Sequence, residues 1–189
     1  MGSGYVYVYS GAGKGKTLAA LGFGLKSVSS GLKVYMIRFV KINIYSELSA
    51  VKNLPNFEIV QFGRTNFDRE NIQKIDFKLA REGLERAKEV IHNGKYDVVI
   101  LDEINLALDL KLIDLEDVLA IIKNRKNCDV VLTGKYAHPK VIKIADFATE
   151  FLDIKHQPDK ELLAKVGVDY RNYIKNLGYS AEKITELDK

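Results

Sequence analysis

Cysteine, tryptophan, proline and histidine are all scarce in this chain, at one, none, three and three residues out of 189. Each scarcity closes a route. A lone Cys128 excludes an intramolecular disulfide framework and any zinc site built from several thiolates, and it fits a reducing compartment, so the expected location is cytoplasmic. No two of His92, His138 and His156 stand at i, i+4, which removes the helical histidine pair of many zinc sites. With 29% charged residues and so little proline, the chain is neither collagen-like nor disordered. No apolar run approaches the ~20 residues a membrane helix needs, so no membrane partner is expected. Met1-Gly2-Ser3-Gly4 leads straight into Tyr5-Val6-Tyr7-Val8-Tyr9, without the basic opening, apolar stretch and small-residue site of a signal peptide, so no export is expected. The 29 Lys and Arg exceed the 25 Asp and Glu by only four and are scattered among them, which argues against a nucleic-acid partner.

What the chain does have is apolar material: 47% hydrophobic residues, enough for a single domain that buries about 70% of its unfolded surface. Short β-branched and aromatic runs alternate with stretches of helical period, the pattern of βα units on a mainly parallel sheet. Strands are expected at Tyr5 to Tyr9, Val34 to Phe39, Phe57 to Phe62, Asp97 to Leu101, Asp129 to Thr133 and Glu150 to Ile154. A first helix is expected from Lys16 to Ser30, with Leu18, Leu21, Leu25 and Val28 as its apolar stripe and Gly31 as its stop. A longer helix is expected after an Asp68 cap, with Ile72, Ile75, Leu79, Ala87, Val90 and Ile91 facing inward and Gly94 as its end. Asp114 caps a further helix that buries Leu115, Val118, Leu119 and Ile122. Residues 1–170 read as one nucleotide-binding domain, and the polar stretch 171–189 reads as its helical appendage.

Between the first strand and the first helix lies Ser10-Gly11-Ala12-Gly13-Lys14-Gly15-Lys16-Thr17. Strand, glycine-rich loop and helix in that order make a phosphate-binding P-loop. Glycines let successive N–H groups converge on an anion, the helix start adds positive potential, Lys16 brings a mobile charge, and the Thr17 hydroxyl is suited to Mg²⁺ (or Mn²⁺). Ser10 stands where the general pattern has its first glycine. The fourth strand runs through Val98-Val99-Ile100-Leu101 into Asp102 and Glu103, two carboxylates at the strand end where such sheets bind ligands and where a Thr-held metal is usually approached. The expected fold is therefore α/β, a P-loop NTPase-like (RecA-like) three-layer sandwich on a mainly parallel six-stranded sheet.

Further segments narrow the pattern to a family. The loop with its non-glycine head and second lysine, Lys14, together with Ala19-Ala20-Leu21-Gly22, Tyr96 to Asn105, Asp114-Leu115, Val131-Leu132-Thr133-Gly134-Lys135, Ala145-Asp146 and Lys155-His156, resembles the cob(I)alamin adenosyltransferases of the P-loop class, also called ATP:corrinoid adenosyltransferases. The similarity runs from about Val6 to Tyr170. It implies transfer of the 5′-deoxyadenosyl group of ATP to the Co(I) of a corrinoid with release of triphosphate, a flavoprotein electron donor and a homodimer. It also implies catalytic roles for Lys16, Thr17 and Glu103, a metal at Thr17, Asp102 and Glu103, and substrate contacts from Gly11, Ala12, Gly13, Lys14, Gly15, Lys16, Thr17, Glu47, Phe67, Asn105, Lys135, Lys155 and His156. Departures gather on the corrinoid side. Lys41-Ile42-Asn43-Ile44-Tyr45-Ser46-Glu47 lacks the glycines of the family's Lys-Gly…Gly-Glu loop, Arg64-Thr65-Asn66-Phe67-Asp68 replaces an aromatic loop containing tryptophan, and His156-Gln157-Pro158-Asp159-Lys160-Glu161 replaces His-x-Phe-Asp-x-Gly.

Other residues have plainer readings. Tyr5, Tyr7 and Tyr9 are packing on one face of a strand with valine on the other, rather than a stacking stripe for a cofactor. His92 is a solvated residue near a helix end, His138 before Pro139 opens a helix, Cys128 is a small apolar filler, and Lys123, Arg125 and Lys126 are a solvated turn. Phe67 is either a hydrophobic staple on the helix after Asp68 or apolar bulk against the lower face of the corrinoid, and His156 is either a surface residue or a substrate contact. Two other functions remain open: a P-loop ATPase or kinase with Glu103 as base, and a nucleotide-binding protein whose corrinoid site has degenerated.

Overall fold

Residues 4–40, 51, 53–64 and 67–154 are described by a computed structural model. The β-branched and aromatic runs form β1 (Val6–Ser10), β2 (Val34–Arg38), β3 (Phe57–Gln61), β4 (Val98–Asp102), β5 (Asp129–Thr133) and β6 (Phe147–Glu150). Across the sheet they lie in the order β3-β2-β4-β5-β1-β6, with every neighbouring pair parallel. Parallel neighbours need crossover connections. Among the described residues, the helices along those connections include α1 (Lys16–Ser29), α2 (Lys74–Asn93), α3 (Ile104–Asp109), α4 (Leu115–Lys123) and α5 (Pro139–Ile144).

Alternation along the strands divides the core. Val34, Met36, Val98, Ile100 and Val131 pack with Ala20 and Leu21 of α1 on one face. Val6, Val8, Tyr35, Ile37, Val99, Leu101, Val130 and Leu132 pack on the other with Ala80, Ala87, Val90 and Ile91 of α2 and with Val118, Leu119 and Ile122 of α4. Burial on both faces explains why β2 and β4 read as unbroken apolar runs instead of alternating ones. The tyrosines of β1 fall on the α1 face as packing: the Tyr7 ring stacks on Phe147 at 5.0 Å and tilts against Phe23 of α1 at 4.8 Å. Cys128 is buried, and that burial pushes its thiol up to about 11, as an apolar filler requires. His138 does open a helix, its Nδ1 accepting the Lys140 N–H at 3.1 Å at the start of α5.

Several expected boundaries and faces are corrected. In α1, which ends at Ser29, the inward residues are Ala20, Leu21, Gly24 and Ser27, whereas Leu18 is 55% and Leu25 45% exposed. The helix lies so close to the sheet that a Cβ at Gly24 would come within 2.5 Å of the Phe57 ring, so small residues face inward and large ones are turned out. Helix α2 starts at Lys74, six residues beyond Asp68. Gln73 and Asp76 form a reciprocal capping box in which Asp76 Oδ2 accepts the Gln73 N–H at 2.7 Å, while Asp68 closes its own turn by accepting the Glu70 N–H at 3.0 Å. The inward face of α2 is accordingly Asp76, Ala80, Gly83, Leu84, Ala87, Val90 and Ile91, and Ile75 is 40% exposed; Gly94 ends the helix in the left-handed conformation as expected. Strand β6 is Phe147–Glu150 rather than Glu150 to Ile154. Its partner β1 ends at Ser10, so from Phe151 onward the chain pairs with the glycine-rich loop instead of a strand. Short α3 had no signal in the sequence. The expectations placed on 41–47, Thr65, Asn66, 155–161 and the tail 171–189 lie outside the described residues.

Gly22 and Gly24 make opposite predictions on one helix. Nothing lies within 4 Å of a Cβ at Gly22, so Gly22→Ala gains helix propensity of about 0.5–1 kcal/mol and raises the melting temperature by ~2 °C. Gly24→Ala drives a methyl into Phe57, an overpacking that costs about 1–3 kcal/mol and lowers the melting temperature despite the propensity gain. Thermal unfolding of the two variants should move in opposite directions.

Candidate active site

The carboxyl ends of β1, β2, β4 and β5 bring Ser10, Arg38, Asp102 and Thr133 to one edge of the sheet. Ligands of open parallel sheets bind at that edge. From Ser10 the chain turns through 11–15 into α1, with Gly11 at φ 97° and Gly15 at φ 100° in the left-handed region. Ser10 anchors the head of the loop, its hydroxyl accepting the Ala137 N–H at 3.0 Å. The segment after β6 presses on the loop: Gly13 N–H donates to the Phe151 carbonyl and Phe151 N–H to the Ser10 carbonyl, both at 2.8 Å. A Cβ at Gly11 would stand 2.3 Å from that Phe151 oxygen, and one at Gly13 2.7 Å from its carbonyl carbon. Crowding by a distant segment therefore demands glycine here as well as the turn itself. Ala12 and Lys14 are exposed on the loop, and Lys14 N–H approaches Asp153 Oδ1 at 3.4 Å.

Lys16, 7% exposed, curls back into the loop and donates from Nζ to the Gly11 carbonyl at 2.8 Å and to the Gly13 carbonyl. Burial is the main cause lowering its pKa, with Lys135 acting the same way and Glu103 and Asp153 opposing. Among the described residues the ammonium is held by carbonyls of its own loop, acceptors that an anion's oxygens could replace with stronger charge-assisted bonds. Thr17 Oγ1 donates to Asp102 Oδ1 at 2.9 Å, Thr133 Oγ1 donates to the same oxygen at 2.7 Å, and Arg38 Nε donates to Asp102 Oδ2 at 3.0 Å. Glu103 follows with a left-handed backbone, φ 61°, its N–H donating to Thr133 Oγ1 at 3.0 Å. Its carboxyl is pushed up to about 7, first by burial and then by Asp102, against the pull of Lys16, Arg38 and Lys135.

Asn105 sits fully buried in the first turn of α3, and its side-chain oxygen and nitrogen have no hydrogen-bond partner among the described residues. A Cβ at Gly134 would meet Asn105 Cβ at 3.1 Å and Glu103 Oε2 at 3.2 Å, so Gly134 lets the chain after β5 lie directly on this turn. An unpaired buried amide costs about 1–3 kcal/mol, so the Asn105 side chain is a group that calls for a partner. Phe67 is partly buried against the α2-side core, and the Arg64 guanidinium stands 6.0 Å from its ring centroid. Because α2 starts six residues after Asp68, the staple positions flanking its cap are Ile72 and Phe77, and the staple role for Phe67 falls away. Glu47, Lys155 and His156 lie outside the described residues.

Among the sequence-derived site residues, the structure brings the loop, Lys16, Thr17, Asp102, Glu103, Asn105 and Lys135 to one edge. Two further residues to which the sequence pattern gives no site role join that edge, Arg38 and Thr133 through its hydroxyl. Arg38 left a trace, being the only charge in Val34-Tyr35-Met36-Ile37-Arg38-Phe39, and a charge inside a strand buried on both faces needs a partner. A threonine hydroxyl beside two carboxylates is an oxygen donor set suited to a hard divalent cation such as Mg²⁺. Among the described residues no cluster of three His, Cys, Asp or Glu offers a competing metal site.

A parallel sheet whose first strand passes through such a loop into a helix is the architecture of P-loop proteins, and this chain is one of them. The family is narrower: the family described as ATP:corrinoid adenosyltransferase BtuR/CobO/CobP matches residues 2–170, and the chain belongs to it. It is 30% identical over 173 residues to the corrinoid adenosyltransferase of Escherichia coli, covering 88% of this chain and 86% of that protein. It is 35% identical over 177 residues to the Nostoc sp. protein all2391, covering 85% of this chain and spanning 47% of that relative's length. Among solved structures, flagellar accessory protein FlaH from Methanocaldococcus jannaschii aligns with a TM-score of 0.48 and 11% identity over 79% of this chain and 72% of that one.

Lys16→Ala removes the loop's buried charge and should weaken ATP binding by about 100-fold in calorimetry, the scale of one or two lost charge-assisted bonds. Thr17→Ala should leave metal-free ATP binding unchanged and abolish the additional affinity conferred by Mg²⁺. Full ATP affinity in Lys16→Ala would remove the loop from phosphate recognition.

Proposed function

We propose that this chain transfers the 5′-deoxyadenosyl group of ATP to the Co(I) of a corrinoid and releases triphosphate. The observation that carries the reading is the caged Lys16 beside the Thr17–Asp102 pair, in a chain of the corrinoid adenosyltransferase family. Co(I) supplies the electron pair, a Co–C bond forms at the ribose C5′, and the C5′–O bond breaks with its electrons passing to triphosphate. No side-chain nucleophile is needed, because the substrate's cobalt carries that part of the chemistry.

The protein's task is to hold the leaving group and orient C5′. Gly11, Ala12, Gly13, Lys14 and Gly15 shape the bed for the phosphates, and Lys16 leaves the loop carbonyls to bind oxygens on which negative charge grows. Thr17, Asp102 and Glu103 would hold a divalent cation, Mg²⁺ or Mn²⁺, Asp102 either directly or through the hydrogen bond it accepts from Thr17. Such a cation supplies charge neutralisation at the leaving group when bound. Asn105 and Lys135 belong to the substrate contacts of the resembled pattern, which Glu47, Lys155 and His156 complete, and Phe67 contributes apolar surface toward the corrinoid. A cytoplasmic setting, a flavoprotein electron donor and a homodimer belong to the same proposal, supported by the family resemblance. The ATPase reading has one observation in its favour, a carboxyl at Glu103 held near 7, within the range of a general base.

One assay separates the two. Incubated with ATP, Mg²⁺ and chemically reduced corrinoid, the protein should yield triphosphate and adenosylated corrinoid, and with ATP and Mg²⁺ alone it should turn over slowly, since near-attack geometry at C5′ does not serve attack at the γ-phosphate. Rapid ADP and phosphate release without corrinoid would replace the transferase reading with the ATPase one.

Phe67 gives a second test. In the resembled family, apolar side chains in the loop before the long helix crowd the corrinoid's lower face and displace its axial ligand, which eases reduction of Co(II) to Co(I). Phe67→Ala should therefore slow adenosylation strongly when Co(II) corrinoid must be reduced on the protein and much less when preformed Co(I) is supplied. Equal losses in the two regimes would move the corrinoid away from Phe67.

A further inference from the structure

We infer that Arg38 is a positioning residue of the metal–nucleotide site, committing Asp102 to orient Thr17 and Glu103 rather than to ligate the cation itself. The inference rests on the reading of this edge as an ATP–metal site. Its basis is a buried cluster joining the ends of β2, β4 and β5 to the start of α1. Arg38 and Asp102 are register partners on β2 and β4, only 2% and 0% exposed. Stability is a weak reason to keep such a pair, because a buried ion pair is often matched or bettered by apolar residues of similar volume. The position of the pair supplies a stronger reason.

Asp102 is spoken for at both oxygens. Oδ1 accepts the Thr17 and Thr133 hydroxyls, and Oδ2 accepts Arg38 Nε. A cation approaching Oδ2 would also meet the guanidinium charge, so Asp102 is electrostatically shielded from direct ligation. What Asp102 can do is fix the Thr17 hydroxyl. A hydroxyl has one proton and two acceptor lone pairs, and with the proton spent on Asp102 both lone pairs of Thr17 Oγ1 are left for a cation. Thr133 extends the same control to the next residue: its hydroxyl donates to Asp102 and accepts the Glu103 N–H, tying the Glu103 backbone to the anchored carboxylate. Arg38 thus acts through Asp102 on both proposed ligands, Thr17 directly and Glu103 by way of Thr133. Groups that orient metal ligands typically contribute 10- to 100-fold in metal affinity.

The test measures ATP affinity by calorimetry with Mg²⁺ and again in EDTA, taking the ratio as the cation-linked gain. In Arg38→Gln the EDTA affinity should match wild type while the gain falls by about tenfold. Thr17→Ala should lose the gain, and adding Arg38→Gln to it should reduce the gain no further. An unchanged gain in folded Arg38→Gln, or a further tenfold loss in the double variant, overturns the inference. A gain that rises overturns it too, since Asp102 would then be a direct ligand that Arg38 had been competing for. If Arg38→Gln does not fold, Arg38→Lys is read the same way: its compact ammonium cannot reproduce the planar Nε donation, so a several-fold loss of the gain supports the role and an intact gain overturns it. Wild-type protein that binds ATP with no cation-linked gain would instead defeat the metal-site reading, an outcome distinct from any result with the variants.

Discussion

The Asp102 carboxylate is the point at which the separate parts of the sheet edge become one site. It accepts hydrogen bonds from the loop–helix junction through Thr17, from β5 through Thr133 and from β2 through Arg38. None of these residues is near another in sequence. A fully buried carboxylate needs hydrogen-bond donors at both oxygens, and these three residues supply them at the carboxyl end of β4. That anion then sets the direction of the Thr17 hydroxyl and, through Thr133, of the Glu103 backbone. Sheet order, strand length and helix entry all have to be right before those donors converge.

The glycine-rich loop is constrained from above as well as from within. Phe151 and Leu152 lie on it, with paired hydrogen bonds between Phe151 and the Ser10 and Gly13 backbone. Motif logic explains the loop glycines by the approach of phosphate. The geometry adds a second demand, since Gly11 and Gly13 also make room for a protein segment more than a hundred residues downstream. Ser10 belongs to the same arrangement: where a glycine would only bend, its hydroxyl ties the loop to the segment after β5. Lys16, directed into the Gly11 and Gly13 carbonyls, ties the loop together from within.

The two faces of the sheet are packed by different rules. On the α2 and α4 side, helices bury a full apolar stripe against Val, Ile and Leu. On the α1 side the approach is closer, and Ala20 and Gly24 meet the sheet while the tyrosines of β1 fill the space toward β6 with ring contacts to Phe23 and Phe147. The close packing of α1 keeps its first turn, with Lys16 and Thr17, at a fixed height over the strand ends.

Much of the fold was legible from the chain alone because it is locally encoded. Apolar runs of strand length, a glycine-rich turn with Gly-Lys-Thr, and Gly31 and Gly94 as helix stops depend on neighbours within a few residues, so strand number, parallel layering and the position of Lys16, Thr17, Asp102 and Glu103 could be read directly. The errors occurred where local periodicity was outweighed by distant contacts. Leu18 and Leu25 carry a helical stripe that the close approach of Gly24 to Phe57 turns outward, Asp68 looks like a cap that the Gln73–Asp76 box supersedes, and the apolar Phe151, Leu152 and Ile154 imitate a strand although β1 has already ended. Arg38 shows the limit most clearly. Its partner is 64 residues away, and only the parallel register of β2 against β4 sets the two side by side, since a shift of one residue would turn one of them to the opposite face of the sheet. Local pattern alone marks the residues suited to a phosphate and a cation; which of them hold the others in place depends on strand order and register, which no local pattern contains.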